Sequence, residues 1–553
     1  MKPFWKWGLG IAAGLIVIII GINWYVNHRW KPRMEVKLKD LVARETGGRY
    51  QLNYDHLEVS LIGGNATATN ISLTPDTLAY KGNGGTNRAA DASYRVRIGR
   101  LQIKGVGLIR LLITDKVHIN SIVIDTPSVQ LIRHRQPDKD TTTVDTTSER
   151  FIENLAKTLT GTQVNRIELN GGQFEMMDDS SAMDIRIPHI DFAIQDLRID
   201  SASLRDTTRL YYAKAIQLDV NSIDFLQPDS LYRLQVGLLH FQTDTRELFL
   251  HNLRYGLTVS KAEFYRRVRL AKDIADIAIS RIAMNDVNLA SWVKTETIAA
   301  STLRIDSGEI AIYKDKTQPN PPTDKIGKSP HQQLLRMKQR VALDSVLINA
   351  LDINFTEVSD KTAKAGTVTF EETAGLMQNV TNDSLALARN RFLQFNATSR
   401  VMGAGDLTVE FRFDLLDSLG AHTYQAKVGA MDGKPFNRML TPQMNVEIER
   451  ADIQTMTFEM EADDSHTSGT LQFDYKNLKV NMLRENEAGE TSRKSLVSFF
   501  VNRFLVNDSN PDANGVYHQG NVHLVRDPTY SFFKMIWHSI REGTKQCIGL
   551  GDG

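Results

Sequence analysis

Apolar positions along this chain fall into three kinds of pattern. The first is a continuous run. From Gly8 to Ile22 the residues read GLGIAAGLIVIIIGI without a charge, with Ile16 and Ile19 near the middle. Extended to Phe4–Val26, with Lys6 snorkelling outward, it reaches the ~18 residues needed to cross a hydrocarbon core of about 30 Å. Trp5 and Trp7 precede the run and Trp24 and Tyr25 follow it, where interfacial rings are favoured. A cleaved signal peptide would carry a shorter apolar core and a small-x-small site; here the next residues are Asn23-Trp24-Tyr25-Val26. The pattern predicts an uncleaved transmembrane anchor over residues 1–32. Local charge leaves its orientation open. Lys2 and Lys6 precede the span and His28, Arg29, Lys31 and Arg33 follow it, but long domains are translocated largely regardless of charge.

The second pattern is strict alternation, which dominates to about residue 480. RLQIKGVGLIRLLI (100–113), VHINSIVIDTPSVQLI (117–132), NRIELNGGQFEMM (165–177), IDFAIQDLRID (190–200) and ALDSVLINALDINF (342–355) are rich in β-branched and aromatic residues. Gly, Asn, Asp or Pro breaks each of them, as in antiparallel meanders. One feature recurs: a strand ending in Asp or Asn plus a small residue leads into another apolar strand, at Ile122–Asp125, Ile167–Gly171, Leu303–Ser307 and Val346–Asn349. The recurrence is of pattern, not identity, and has no fixed period. Polar stretches at 134–148, 314–331 and 484–494 read as mobile loops.

The third pattern is helical. Met34, Leu38, Leu41 and Val42 share a face before Gly47-Gly48, and Phe151, Ile152, Leu155 and Leu159 share another. The clearest helix is DPTYSFFKMIWHSIREGTKQ (527–546). There Phe532, Phe533, Ile536, Trp537 and Ile540 read as one stripe, with Lys534, His538 and Arg541 turned away and start signals at Asp527-Pro528-Thr529. Two readings stand: the stripe caps the end of the sheet, or it makes a second membrane or partner contact, since basic residues opposite a Trp/Phe face suit an interfacial helix. KSLVSFFVNRFLV (494–506) is similarly apolar and reads as a last strand or a lipid-facing helix.

Composition narrows the function. The 553 residues are 41% hydrophobic and 24% charged, as in a folded protein. With 66 basic against 65 acidic residues there is no clustered basic field, so nucleic acid is not an expected partner. Cys547 is the only cysteine, which excludes an intrachain disulfide and a cysteine-based zinc site. Near the end of an amphipathic helix it reads as inert. No Gly-x-Ser-x-Gly elbow, His-Glu-x-x-His, P-loop or dinucleotide fingerprint occurs, so no catalytic residue, metal ligand or cofactor is expected. Asp463-Asp464-Ser465-His466 comes nearest to a ligand set and reads as a solvated turn; Gly403-Ala404-Gly405 reads as a hairpin turn. A long antiparallel sheet must cover its apolar face, either as a packed sandwich or as a gutter that holds acyl chains, and periodicity does not separate the two.

Three stretches together resemble the AsmA-like family of bacterial envelope proteins, related to AsmA, TamB and YhdP. They are the anchor with LVARETGGRYQLNYDHLEVSLIGGNATATNISLTPD (41–76), DGKPFNRMLTPQMNVEIERADIQTMTFEMEADDSHTSGTLQFDYKNLKV (432–480), and RDPTYSFFKMIWHSIREGTKQCIGL (526–550). The resemblance is one of layout at both ends and of strand pattern between them. It implies a mainly β fold: a transmembrane helix, then an elongated, curved antiparallel sheet, groove or sandwich-like, with a few short amphipathic helices. The expected regions are an anchor (1–32), an N-terminal β-domain (33–135), a middle β-repeat region (149–313), a C-terminal β-region (332–525) and a terminal amphipathic helix (526–553). The implied setting is the inner membrane with the bulk in the periplasm. The implied role is non-enzymatic support of outer-membrane biogenesis by phospholipid transfer along an apolar groove, with envelope assembly proteins as partners. A scaffold or regulator acting by partner binding is the alternative. About 30 strands at roughly 4.8 Å each would reach at most about 140 Å, far shorter than the large members of that family.

Overall fold

A computed structural model describes residues 50–60, 64–75, 92–107, 116–133, 161–178, 183–485 (except Ser201, Thr207 and Tyr211), 491–495 and 506–550, with Val42 and Gly48 as isolated positions before them. The predicted anchor, with Trp5, Trp7, Ile16, Ile19, Trp24 and Tyr25, lies outside the described residues. So do the helix predicted over Phe151–Leu159 and most of 494–506. Among the described residues no helix is long and apolar enough to cross a membrane.

The fold is mainly β and mostly antiparallel, as the alternating runs predict, and the chain divides into two compact units. The first comprises residues 1–228 and 234–248. It carries β1 (Tyr50–Asn53), β2 (His56–Ser60), β3 (Asn65–Pro75), β4 (Ala92–Lys104), β5 (His118–Arg133), β6 (Thr162–Asp178), β7 (Met183–Ile199), β8 (Ala213–Leu226) and most of β9 (Tyr232–Gln242). The second comprises residues 229–233 and 249–553. It holds most of β10 (Glu247–Leu257), then α1 (Lys261–Val268), β11 (Ile274–Asn285), α2 (Leu289–Thr295), β12 (Ile298–Asp315), α3 (Pro330–Arg336), β13 (Val341–Val358), β14 (Ala365–Thr381) and α4 (Ser384–Arg389). After these come β15 (Phe392–Val401), β16 (Gly405–Asp414), β17 (His422–Val428), β18 (Met431–Asp432), α5 (Asn437–Met444), β19 (Val446–Ala462), β20 (His466–Glu485), β21 (Thr491–Ser495), β22 (Gln519–Val525) and α6 (Phe532–Cys547).

One pairing scheme occurs in both units. In the first, β4 is antiparallel to β5, β5 is parallel to β6, and β6, β7 and β8 continue antiparallel. In the second, β11, β12, β13, β14 and β15 repeat that order, with β12 parallel to β13. Parallel neighbours need a long crossover. The polar stretches at 134–148 and 314–331 fall within the two crossovers. Each lies between two strands that pair in parallel.

The strands are 16 to 18 residues long at these centres, against a usual five or six. Each contains a residue in the left-handed region at matching register: Thr126 and Gly171 in one unit, Ser307 and Ala350 in the other. These are the positions after Asp125, Asn170, Asp306 and Asn349, so the sequence recurrence marks a left-handed residue inside each strand, not a strand end. β5 and β12 keep unbroken register with both neighbours there, while irregular register accompanies it where β6 meets β7 and β13 meets β14. The side-chain alternation changes by one step at these positions. In β5 the buried positions move from Ile122 and Ile124 to Val129; in β6 they move from Ile167 and Leu169 to Phe174 and Met176. The core divides there as well. Ile119, Ile122, Ile124, Val164 and Ile167 join one cluster, and Val129, Phe174, Met176, Ile187 and Val220 another.

The polar residues before these positions tie the strands together. Asn170 donates to Asp125 at 3.0 Å and Arg100 pairs with the same carboxylate at 2.7 Å. Asn349 donates to Asp306 at 2.7 Å, with Arg281 at 3.8 Å. The Asn170 amide and the Arg100 guanidinium hold the Asp125 carboxyl below its ordinary range. Pro127, which has no N–H for the ladder, directly follows the left-handed Thr126.

Just beyond Ser307, Gly308 lies so close to β11 that a Cβ would overlap the Ala278 carbonyl oxygen and meet the Ile279 backbone. Because the obstacle is backbone, Gly308→Ala should destabilise the second unit by about 2 kcal/mol, read as a lower urea midpoint at unchanged m-value.

Candidate functional site

The most chemically loaded part of the second unit lies where α6 meets the sheet. Its sequence sets the docking. Ser531 caps α6 by accepting from the Lys534 amide at 3.3 Å. Phe532, Met535, Ser539, Gly543 and Cys547 then recur at helical spacing and are all buried. Ser539, Gly543 and Cys547 are small, so the helix approaches closely. A Cβ on Gly543 would overlap Leu471 of β20, and one on Gly520 of β22 would overlap the Gly543 backbone. Gln546 finishes the contact: it accepts from the Asn521 amide at 2.7 Å and donates to the Asn521 carbonyl at 3.0 Å.

The predicted stripe is therefore divided. Phe532 is buried against Leu387, Leu393, Phe413 and Leu415, and Ile536 and Ile540 pack on the cluster that contains Leu471, Phe473 and Tyr475. Phe533 is 70% exposed and Trp537 is half-buried. Adjacent helix residues point about 100° apart, so Phe532 and Phe533 cannot face the same surface.

Beneath Phe532 lies a buried polar cluster. Arg526 and Asp464 form an ion pair at 2.5 Å, and their side chains are only 2% and 5% exposed. Asp464 also accepts from the Gln332 side chain at 2.7 Å and from the Gly327 amide at 3.0 Å. Arg526 donates to the carbonyls of Lys325 and Tyr530, each at 3.2 Å. The pair thus joins the segment before α3, the turn between β19 and β20, and the segment leading into α6. Backbone bonds follow the same route, from the Lys325 amide to Pro528 at 2.6 Å and from the Asp464 amide to Leu419 at 2.9 Å. The stretch 314–331, expected to be mobile, is pinned here.

Two histidines complete the cluster. His331 of α3 and His422 of β17 have rings 5.5 Å apart, and His422 lies 5.2 Å from the Phe532 ring. His331 Nε2 is 3.1 Å and His422 Nδ1 is 2.8 Å from the same carbonyl, that of Gly420. A carbonyl only accepts, so both nitrogens carry hydrogen. Gly420 has φ +69°, and a Cβ there would overlap Gln332 and crowd His331. Burial holds both imidazoles neutral. It pushes His331 down to about 4, with His422 and Arg526 adding to the depression, and it lowers His422 in the same direction.

Sequence patterns pointed to Asp464 and Phe532 but not to Gln332, His331, His422 or Arg526. Asp463 forms the expected turn, accepting from the Ser465 and His466 amides at 2.6 and 2.9 Å, while the neighbouring Asp464 turns inward. Gly403-Ala404-Gly405 forms the turn joining β15 to β16. Cys547 is fully buried, and burial raises its thiol to about 11. Among the described residues no group of three or more His, Cys, Asp or Glu side chains could hold a metal ion. No family model matches the chain, and no curated protein matches it significantly.

Removing one partner of a buried pair strands a charge, whereas removing both does not. Asp464→Asn should lower stability by about 4 kcal/mol, and the double variant Asp464→Leu/Arg526→Met should recover most of the loss; denaturant melts of the three chains test this. At pH 8 Cys547 should react with Ellman's reagent at least ~100-fold more slowly in the native chain than in guanidinium, because thiolate is scarce and access is closed.

Proposed function

We propose that this chain is a non-enzymatic, membrane-anchored envelope protein that supports outer-membrane biogenesis, with its β-sheet shielding phospholipid acyl chains in transit. The bulk of the chain would lie in the periplasm behind the N-terminal anchor. The observation that carries the reading is the inner face of the second unit. Ile305 and Ile348 are register neighbours on β12 and β13, and with Met284, Leu303 and Met377 they extend a small buried cluster of Ala300, Val341, Leu343 and Val346. These five large apolar side chains are half-buried. An apolar face left partly open suits a flexible, low-polarity ligand better than a fully packed interior does.

A scaffold or regulator acting through a protein partner is the second reading, favoured by Phe533 at 70% exposure beside the packed helix face. One experiment separates the two. A photo-crosslinking amino acid is placed in the full chain, in its native membrane, at Ile305 or Ile348, with Glu309 on the opposite face as control, and in a separate variant at Phe533. Phospholipid adducts at the first two positions and few at Glu309 are expected. Adducts equal at all three positions, or none, would sink the lipid reading, and protein adducts at Phe533 alone would favour the scaffold.

A further inference from the structure

The cluster beneath α6 has one property that its structural role does not need. His331 donates through Nε2, so its Nδ1 is the bare nitrogen, and among the described residues that buried atom has no hydrogen-bond partner. A proton added there would create a buried donor without an acceptor, on a cation beside the Arg526 guanidinium. His331 is 3% and His422 is 8% exposed. The cover over His422 is α6 itself: a small cavity between them is lined by His422, Tyr424, Arg526, Phe532, Met535 and Ile536. Lifting α6 would admit water to that cavity and solvate the ring.

We infer that His331 and His422 form an acid-sensitive latch that keeps α6 on the sheet while both rings are neutral and releases it when they protonate.

The charged groups around the pair decide the sign. The turn between β19 and β20 contributes Asp463 and Asp464, the segment before α6 contributes Arg526, and Arg336 of α3 lies against Gly327 nearby. Asp464 is already committed to Arg526, Gln332 and the Gly327 amide. Asp463 is committed to its own turn and to His466 at 3.1 Å. β16 offers Phe413, whose ring stacks on His331 at 4.7 Å. The packed face of α6 offers Phe532, Met535 and Ile536. Asp463 lines the same cavity and, with Asp464, favours a charged His422 ring, but burial outweighs both carboxylates, which are already engaged. His538, on another face of α6, stacks on Tyr530 at 4.6 Å and faces Arg541 and Lys534, so it titrates in the same window for a separate reason.

The released state binds protons at ordinary imidazole affinity and the docked state binds them more weakly, so docking weakens as pH falls below about 6.5. The ring that α6 covers is that of His422, with His331 beside it, so moving from pH 7.5 to 5 should shift the docked-to-released ratio toward release. The shift saturates below the docked-state pKa.

Cys547 is the reporter, since it is the only cysteine, lies on α6 and is fully buried. The full chain in detergent is exposed to 4,4′-dithiodipyridine from pH 7.5 to 4, with rates normalised to the guanidinium-unfolded chain at each pH. Far-UV circular dichroism and amide exchange of β13–β16 are followed in parallel. The expected result is at least a ~tenfold loss of Cys547 protection by pH 5 while the β signal and β13–β16 protection hold. His331→Asn with His422→Gln should flatten the profile, and His538→Gln should leave it as in the parent. The latch is overturned if protection does not fall, if it falls only together with the β signal, or if His538→Gln alone flattens the profile. Should the double variant not fold, amide exchange over residues 531–548 of the unmodified chain decides the matter: release by pH 5 supports the latch, and unchanged protection overturns it.

Discussion

The two-residue period of a strand is the constraint on which this fold turns. Over five or six residues, alternation and twist are easily reconciled. Over seventeen they are not, because a twisting strand carries its apolar row away from the partner that must cover it. A left-handed residue at Thr126, Gly171, Ser307 and Ala350 resets the row. It stands at matching register in the paired strands, since an unmatched reset would turn one strand's apolar set outward. The Asp–Asn bridges at 3.0 and 2.7 Å sit one residue before the matched positions and hold adjacent strands in step. The polar residues that interrupt the alternation of these strands are therefore what allows them to be long.

The same logic accounts for the second unit's other end. Strands β15 to β20 are joined by hairpins and short links, and their face is closed by one amphipathic helix. Such a helix gains little from its own propensity and depends on its docked face. Its small residues Ser539, Gly543 and Cys547 set the distance, and the Arg526–Asp464 pair fixes the angle of entry. A buried pair is weak evidence for stability, because desolvating two charges offsets most of their attraction. Its worth here is specificity. Four carboxylate and guanidinium hydrogen bonds to Gly327, Gln332, Lys325 and Tyr530 admit one arrangement of three chain segments that lie far apart in sequence.

Legibility in the sequence followed the range of the interaction. Alternation in VHINSIVIDTPSVQLI or ALDSVLINALDINF is local, and those runs are strands. The Asp/Asn-plus-small recurrence was visible too, but as strand ends, because a turn and a left-handed position inside a strand use the same residues: both need a position tolerant of positive φ. Which strands pair in parallel was not legible, since nothing local in β5 or β12 records that the next strand runs alongside it. The candidate site was least legible. His331, His422, Asp464 and Arg526 are widely separated along the chain, and each alone has an ordinary surface explanation. Asp464 stood out only because it lies in Asp463-Asp464-Ser465-His466, where the neighbour with the turn role hid the one with the buried role.

The terminal helix shows what a stripe of large apolar residues can and cannot say. Phe532, Phe533, Ile536, Trp537 and Ile540 span about 140° of the helix circumference, and Phe532 lies at one edge of that arc. The docked face is centred instead on the line Phe532–Met535–Ser539–Gly543–Cys547, half of which is not bulky at all. Small residues give a hydropathy scan little to find, yet they decide where two backbones can meet. What remains outside that line is Phe533, with Trp537 at its margin. An exposed aromatic on an already docked helix is either a neutral accident of the surface or a second contact. If the helix stays docked, only Phe533 and the margin are available to a membrane or partner. If it lifts, the whole face from Phe532 to Cys547 becomes available together with the strand surface it covered. On the latch reading, the apolar surface that this end exposes is therefore set less by which residues are apolar than by the state of the two histidines beneath them.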